Sequence, residues 1–438
     1  MKIKIVFPLL LSGIFIALAA GQPGHFQDKE SAKITSTIES AQFVPGQLVI
    51  KLAANSKAAA YSNELPSGLY GNQIKSLRCE KHFGYLLIET TPETDLAEFK
   101  KSLATEKWVQ DISFNYLAAM NALIPNEQFF SYQYALLNNG QVFYPEKNLR
   151  GTSAADIKAS EGWNWSTGSS GTIIAVIDTG IASAHEDLKN KTMPGYDFVN
   201  DDADPQDDNG HGTLVASLAA AETNNDIGIA GVAWNAMLLP VKVLDHLGSG
   251  NYLTIAAGIK YAADHGAKVI NLSLGGNSDS FILKDACQYA YDKGCSLVAA
   301  SGDNGSEVVQ FPAAYDLLCT AVAASDANDT LAPFSNRGSQ IDVAAPGVWV
   351  FGAHYDPERP TELSSYDWAN GTSLAAAHVS GAVALLISYK PLLTNQQIMA
   401  IIKYTADDVN GSQKPGVDTD MGFGRINLQT LLSPYNLN

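Results

Sequence analysis

The chain has 438 residues, enough for one large domain and something smaller, because single cores usually stop growing at about 250 to 300 residues. Its 46% hydrophobic and 17% charged residues exclude a disordered or fibrous protein. With 28 Lys plus Arg against 45 Asp plus Glu, the formal charge of -17 disfavours nucleic acid or anionic lipid as the main partner.

At the N-terminus Lys2 and Lys4 precede the apolar run "IVFPLLLSGIFIALAA", with small residues at Ala17, Ala19 and Ala20. That is the three-part pattern of a secretory signal, so residues 1–20 are expected to be removed and the product exported. Strand-like alternation in "QLVIKL" and "GYLLIET", the helix-like "ETDLAEFKKSLATE" and then "VQDISFNYLAA" predict a small α+β unit over about 42–120. The connector "MNALIPNEQFFSYQYALLNNGQ" has no clean period and marks a boundary.

From about Thr152 near-continuous apolar strands alternate with helical segments: "TIIAVID", "GTLVASLAAAE", "MLLPVKVLD", "YLTIAAGIKYAADHG", "KVINLSLGG", "ILKDACQYAYDKG" and "SLVAASG". Strands buried on both faces and separated by helices predict a doubly wound α/β fold with a mainly parallel sheet. In such sheets ligands bind at the carboxyl ends of the strands, so the polar residues ending each strand are where chemistry is expected.

Three such residues stand out. Asp178 closes "TIIAVID", His211 opens a helical run in "NGHGTLVAS", and Ser373 opens another in "NGTSLAAAHVSGAVALL". Singly, each has an ordinary reading as a turn former, a loop residue or a helix N-cap. Together they are the parts of a nucleophilic triad, in which a histidine takes the serine's proton and an aspartate orients and stabilises the imidazolium.

The motifs "AVIDTG", "NGHGTLVA" and "NGTSLAAAHVSGAVALL", in the order Asp, His, Ser, resemble the three active-site motifs of the subtilisin-like serine peptidases, or subtilases. The resemblance runs from about residue 126 to 432. It implies a catalytic triad of Asp178, His211 and Ser373 in a secreted endopeptidase made as a self-processing precursor. Residues 21–125 then resemble the family's propeptide, an intramolecular chaperone and inhibitor, and 126–438 the peptidase domain, acting on proteins or peptides as a monomer. The alternative is a catalytically weak or silent subtilase fold that binds peptides, and an esterase using the same triad is a third reading.

An extended peptide can add to exposed strand edges. Gly248, Ser249 and Gly250 in "LGSG", and Ser273, Leu274 and Gly275 in "SLGG", resemble the two segments that bracket substrate in subtilases. Gln310 in "QFPAAY" falls at the base of the expected pocket for the side chain preceding the cleaved bond, where many relatives have glycine, and so is expected to narrow it. Asp187 and Asn225, with the carbonyls of Ile227 and Ile229, resemble the family's tight calcium site, a mix of oxygen donors that suits this ion. The acidic loop "NDDADPQDDNG" is a candidate for a second ion or an ordinary solvated loop. Cys79, Cys287, Cys295 and Cys319 lack metal-type spacing, and their pairing is open.

One position departs from the family. "VAASGDNGS" places Asp303 where subtilases usually carry an asparagine that donates to the oxyanion. Either Asp303 is kept protonated by burial and donates as an amide would, or the turn shifts by one residue and Asn304 reaches in.

Overall fold

The computed structural model describes residues 43–53, 73–80, 85–116 and 122–434. The segment 1–20, expected as a signal, lies outside the described residues. The chain divides into two compact units, Met1–Ala119 and Met120–Asn438.

In the first unit, strands β1 (Phe43–Leu52), β2 (Ile74–Glu80), β3 (Tyr85–Thr90) and β4 (Val109–Tyr116) form an antiparallel sheet in the order β2-β3-β1-β4. The helix α1, Leu96–Leu103, starts where the Asp95 carboxylate accepts the N–H groups of Ala97 and Glu98. Its Phe99 and Leu103 pack on Leu48, Ile50, Leu86 and Ile88, the alternate residues of β1 and β3 that share one face.

The second unit is built on seven strands. In chain order they are β5 (Ile173–Asp178), β6 (Tyr196–Asp197), β7 (Met237–Lys242), β8 (Val269–Leu272), β9 (Ser296–Ala300), β10 (Cys319–Ser325) and β11 (Val343–Pro346). Their spatial order is β11-β10-β9-β8-β5-β7-β6, and every neighbouring pair is parallel. Ile174 and Val176 point to one core layer with helices α2 (His211–Ala220) and α5 (Thr372–Tyr389). Ala175 and Ile177 point to the other, with α3 (Tyr252–Asp264) and α4 (Phe281–Asp292). Burial on both faces explains why the strands are apolar without alternation.

The fold is therefore the doubly wound α/β arrangement expected, with two antiparallel additions, one of them the short pair Val142–Tyr144 and Leu149–Arg150. Strands β12 (Val350–His354) and β13 (Ser365–Ala369) form an antiparallel hairpin between β11 and α5. Strand order reverses at β5, which lies between β8 and β7, and Asp178 is the last residue of β5. The topology thus opens a crevice at the carboxyl ends of these strands.

Candidate active site

Asp178 is fully buried at the end of β5. Its Oδ1 accepts from the Thr179 N–H at 2.8 Å and meets His211 Nδ1 at 2.7 Å, while its Oδ2 is buried without a hydrogen-bond partner. His211 is the first residue of α2, whose start is bound to the end of β5. Gly212 N–H donates to Thr179 Oγ1 at 3.0 Å, and a side chain at Gly212 would collide with the Gly180 carbonyl. The buried Asp207 accepts from Thr179 Oγ1, from the N–H groups of Asn209, Gly210 and Thr213, and from the Thr213 hydroxyl.

Desolvation alone would lower the His211 pKa, but the Asp178 carboxylate, with Asp207 and Asp303 beyond it, outweighs burial and holds it above the ordinary histidine value. The imidazole keeps 34% of its side-chain surface open to solvent, so its other edge faces the crevice.

Ser373 lies in the first turn of α5, a helix apolar all round and buried through Leu386, as such helices are. The Ser373 hydroxyl donates to the Ser273 carbonyl at 3.2 Å, and Ser273 Oγ donates back to the Ser373 carbonyl at 2.8 Å. The start of α5 is thereby pinned to the segment leaving β8. A cleft of about 520 Å³ is lined by His211, by Gly248, Ser249 and Gly250 on one side, and by Ser273, Leu274 and Gly275 on the other. The two Gly- and Ser-rich segments that the sequence singled out are brought together around the histidine.

Gln310 packs against Gly275, one of the residues lining this cleft. Its Nε2 donates to Asn277 Oδ1 at 3.0 Å, and its Oε1 lies 2.6 Å and 2.8 Å from where Cβ atoms on Gly275 and Gly302 would stand. The amide fills space that glycine at 310 would leave open.

Asp303 and Asn304 are both exposed, so the burial expected to keep Asp303 protonated is absent. Asp303 Oδ1 accepts the N–H of Thr372, the first residue of α5, at 2.8 Å. Its Oδ2 lies 3.4 Å from the point where a Cβ on Gly371 would stand, a point 3.7 Å from Ser373 N and 3.8 Å from Ser373 Cβ. Asn304 instead turns away. Its Oδ1 accepts from Ser306 N–H at 3.3 Å, and its N–H donates to Asn336 Oδ1 at 3.1 Å. Asn336, fully buried, also accepts from Ser306 N–H and donates to the Val308 carbonyl, which fixes the turn and leaves no slack for a one-residue shift.

Asp187 and the loop carrying Asn225, Ile227 and Ile229 form a second centre. Asp187 is fully buried; its Oδ2 accepts from Ile229 N–H at 3.0 Å and from the Tyr366 hydroxyl at 2.9 Å, and its Oδ1 has no partner. Burial pushes its carboxyl up to about 7. Glu127 is also buried; one of its oxygens accepts the N–H groups of Asn224 and Asn225, the other has no partner, and burial raises its pKa. Asn225 Oδ1 accepts the Ile227 N–H at 3.0 Å within its own turn. Two buried, incompletely satisfied carboxylates beside a loop of amide and carbonyl oxygens fit a hard divalent cation. Glu127 was not among the residues singled out from the sequence. The only signal there is an acid at the start of the second unit, 60 residues from Asp187, and only the fold brings it to this loop.

In the acidic loop Asp207 caps α2, Asp208 pairs with the buried Lys242, and Asp201 and Asp202 hold Tyr196 and the Asp204 N–H. Four of its five carboxylates, those of Asp201, Asp202, Asp207 and Asp208, are engaged in shaping the chain. All four cysteines are free thiols. The buried Cys287 and Cys319 lie in contact, and that contact, with burial, raises the Cys319 pKa.

A doubly wound sheet that brings an aspartate and a histidine into contact at one cleft, with a serine later in the chain bonded to the Ser273 segment that lines it, matches a class, the serine peptidases of subtilisin type. Comparison with known proteins agrees. The sequence profile of the Subtilase family matches residues 169–424. Thermitase from Thermoactinomyces vulgaris is 43% identical over 303 residues, covering 69% of this chain and 97% of that protein. The thermophilic serine proteinase of Bacillus sp. strain AK1 is 37% identical over 418 residues, 94% of each chain. Among solved structures, a protease from Pseudoalteromonas arctica PAMC 21717 superposes with a TM-score of 0.59 at 30% identity, covering 71% of this chain and 99% of that one. The chain belongs to the subtilase family, and it is a serine endopeptidase.

Proposed function

We propose that Asp178, His211 and Ser373 are the catalytic triad of a secreted endopeptidase made as a precursor that processes itself. The observation that carries this reading is the 2.7 Å contact between His211 Nδ1 and Asp178 Oδ1 at a cleft also lined by Ser273, whose carbonyl accepts from the Ser373 hydroxyl. Ser373 Oγ attacks the scissile carbonyl as His211 takes its proton through the ring nitrogen not engaged by Asp178. The imidazolium then protonates the leaving amine, and water resolves the acyl-enzyme by the same path in reverse. The Ser373 N–H supplies an oxyanion donor at a helix N-terminus. Substrate lies extended between Gly248–Gly250 and Ser273–Gly275, with main-chain bonds for affinity and Gln310 limiting one pocket.

The first unit is the propeptide in this reading, and cleavage falls between Met120 and Asn126. Glu127, Asp187, Asn225 and the carbonyls of Ile227 and Ile229 hold a calcium ion, whose role is to neutralise two buried carboxylates. A fluorophosphonate probe tests the assignment. It should label the processed protein on Ser373 alone, and the Ser373→Ala and His211→Ala proteins should neither label nor release their first unit. Labelling elsewhere, or none after removal of residues 1–125, would sink the triad.

A further inference from the structure

The base of the proposed triad opens a helix whose own N-cap residue offers no side chain. That residue is Gly210, at φ 105°, where L side chains rarely go, and a Cβ there would stand 2.4 Å from the Tyr355 carbonyl. The first N–H groups of α2 must therefore be met from elsewhere. Asn209 Oδ1 takes that of His211 at 3.2 Å, Thr179 Oγ1 that of Gly212 at 3.0 Å, and Asp207 Oδ2 that of Thr213 at 3.0 Å. Asp207 is only 1% exposed, and it does more than cap. Its Oδ2 also takes the Thr213 hydroxyl at 2.6 Å, and its Oδ1 takes the Asn209 and Gly210 N–H groups at 3.0 and 2.9 Å and the Thr179 hydroxyl at 2.8 Å. Both hydroxyl oxygens already accept an N–H, Thr213 from Ala182 and Thr179 from Gly212, so their hydrogens are left for Asp207. Five donors around an acceptor-only group are the setting of a carboxylate, and none of the five is a cation.

The same bonds reach the reacting pair. Thr179 N–H donates to Asp178 Oδ1, Asp178 Oδ1 meets His211 Nδ1, and the next residue, Gly212, donates back to Thr179 Oγ1. Asp207 fastens this ring at two points, Thr179 and the first turn of α2. Lys242, the buried neighbour of Asp178 in the sheet register, holds the Thr179 carbonyl at 2.8 Å, but its ion pair is with Asp208 rather than Asp207. We propose that Asp207 is a positioning residue of the triad, holding His211 against Asp178 and setting its own charge against the imidazolium that forms as Ser373 attacks. This rests on the triad reading above. The charged groups acting on His211 are Asp178 at the end of β5, Asp207 on the loop before α2 and Asp303 on the turn after β9, all of which favour its protonated form. On the elements packed against α2, His354 ends β12, and His378 lies inside α5, bonded to the Pro346 carbonyl.

Asp207→Asn keeps the shape and removes the charge. His211 must be neutral to act as base, so the rising limb of kcat/KM against pH reports its titration in the free enzyme. Without the Asp207 charge that limb should move to lower pH, by about half a unit or more, where an opposite charge in direct contact would give about 1 to 3 units. On the plateau the base is already neutral in both enzymes. There the variant should be slower by about tenfold, because the transition-state imidazolium loses stabilisation equivalent to about one pKa unit. The loss should therefore shrink as pH falls through the limb. Thr213→Val separates charge from capping, since it removes one donor and leaves the carboxylate. It should lower the melting temperature and leave the limb where wild type has it.

The measurement is kcat/KM on a peptide anilide from about pH 5 to 10, using full chains that have processed themselves, with thermal unfolding alongside. A limb unmoved in Asp207→Asn, or moved as far by Thr213→Val, overturns the role and leaves Asp207 a helix cap. If Asp207→Asn fails to mature, Asp207→Ser, which still offers Thr213 an acceptor, decides by the same criterion. Imidazole NMR of His211 in full Ser373→Ala chains, with and without either substitution, reads the same shift without any need for maturation. Fluorophosphonate labelling keeps the two ideas apart. Ser373 labelled in wild type and in Asp207→Asn with the limb unmoved removes the Asp207 role and leaves the triad, whereas no labelling in either removes the triad.

Discussion

At the level of single residues, Asp178 carries two hydrogen bonds on Oδ1 and none on a buried Oδ2. Its carboxylate fixes the tautomer of His211 and is a main reason that histidine titrates high. Asp178→Asn replaces a charge by an amide of the same shape, so the fold should survive while kcat falls by about 10⁴. Imidazole NMR of the variant should find His211 titrating at lower pH than in wild type; an unmoved titration would mean that Asp178 does not hold the ring. Gln310 makes a second prediction. Gln310→Gly should open the pocket it fills and shift preference from small to large side chains before the cleaved bond, by about 10- to 200-fold in the ratio of kcat/KM for Phe over Ala peptides. No shift in that ratio would remove Gln310 as a determinant. Asp178, His211 and Ser373 were legible in the sequence because each stands in a motif complete within a few residues. Glu127, Asn336 and the reach of Gln310 were not, because their partners lie across the fold. Asp303 was legible as an anomaly, but its exposure and its bond to Thr372 required coordinates.

The elements deliver these residues. Strand β5 ends on Asp178, and helices α2 and α5 begin at His211 and next to Ser373, so small shifts between helices and sheet become shifts among the residues of the proposed triad. The close approach of α2 and α5 depends on Gly381, where a Cβ would stand 2.5 Å from Val232 Cβ and 2.8 Å from the Ala219 carbonyl. Alanine there gains about 1 kcal/mol of helix propensity. It also overpacks a site whose neighbours include backbone, at about 1–3 kcal/mol. The clash should win, so Gly381→Ala is expected to lower stability and, by tilting α5, to reduce kcat more than it raises KM. A variant of unchanged melting temperature would show that the helices have room to part. This packing was foreseeable only in outline. Continuous apolar strands and long apolar helices announced a sheet covered on both faces, whereas the hairpin of β12 and β13 has no signal in that alternation.

For the whole molecule, the buried carboxyls of Asp187 and Glu127, proposed above as calcium ligands, make stability depend on pH. Burial raises both carboxyls, Asp187 to about 7, against about 3.9 for an unfolded aspartate. A carboxyl that binds its proton more tightly when folded favours the folded state fully below its unfolded pKa, and that contribution is lost as pH rises to the folded value. Without metal, stability should therefore fall between about pH 4 and 7, by up to about 1.4 kcal/mol per pH unit for one such group. A calcium ion held there would take the ionised carboxylates and displace any proton, so on the proposed assignment its stabilisation should grow over the same range. Calorimetry of the processed protein, inactivated on Ser373 to prevent self-digestion, should show a melting temperature that declines from pH 4.5 to 7 in chelator and much less in calcium. Asp187→Asn should flatten the chelator curve and abolish the calcium response, and Glu127→Gln should weaken that response. A calcium effect equal at both ends of the pH range, or surviving in Asp187→Asn, would place the ion somewhere other than this loop.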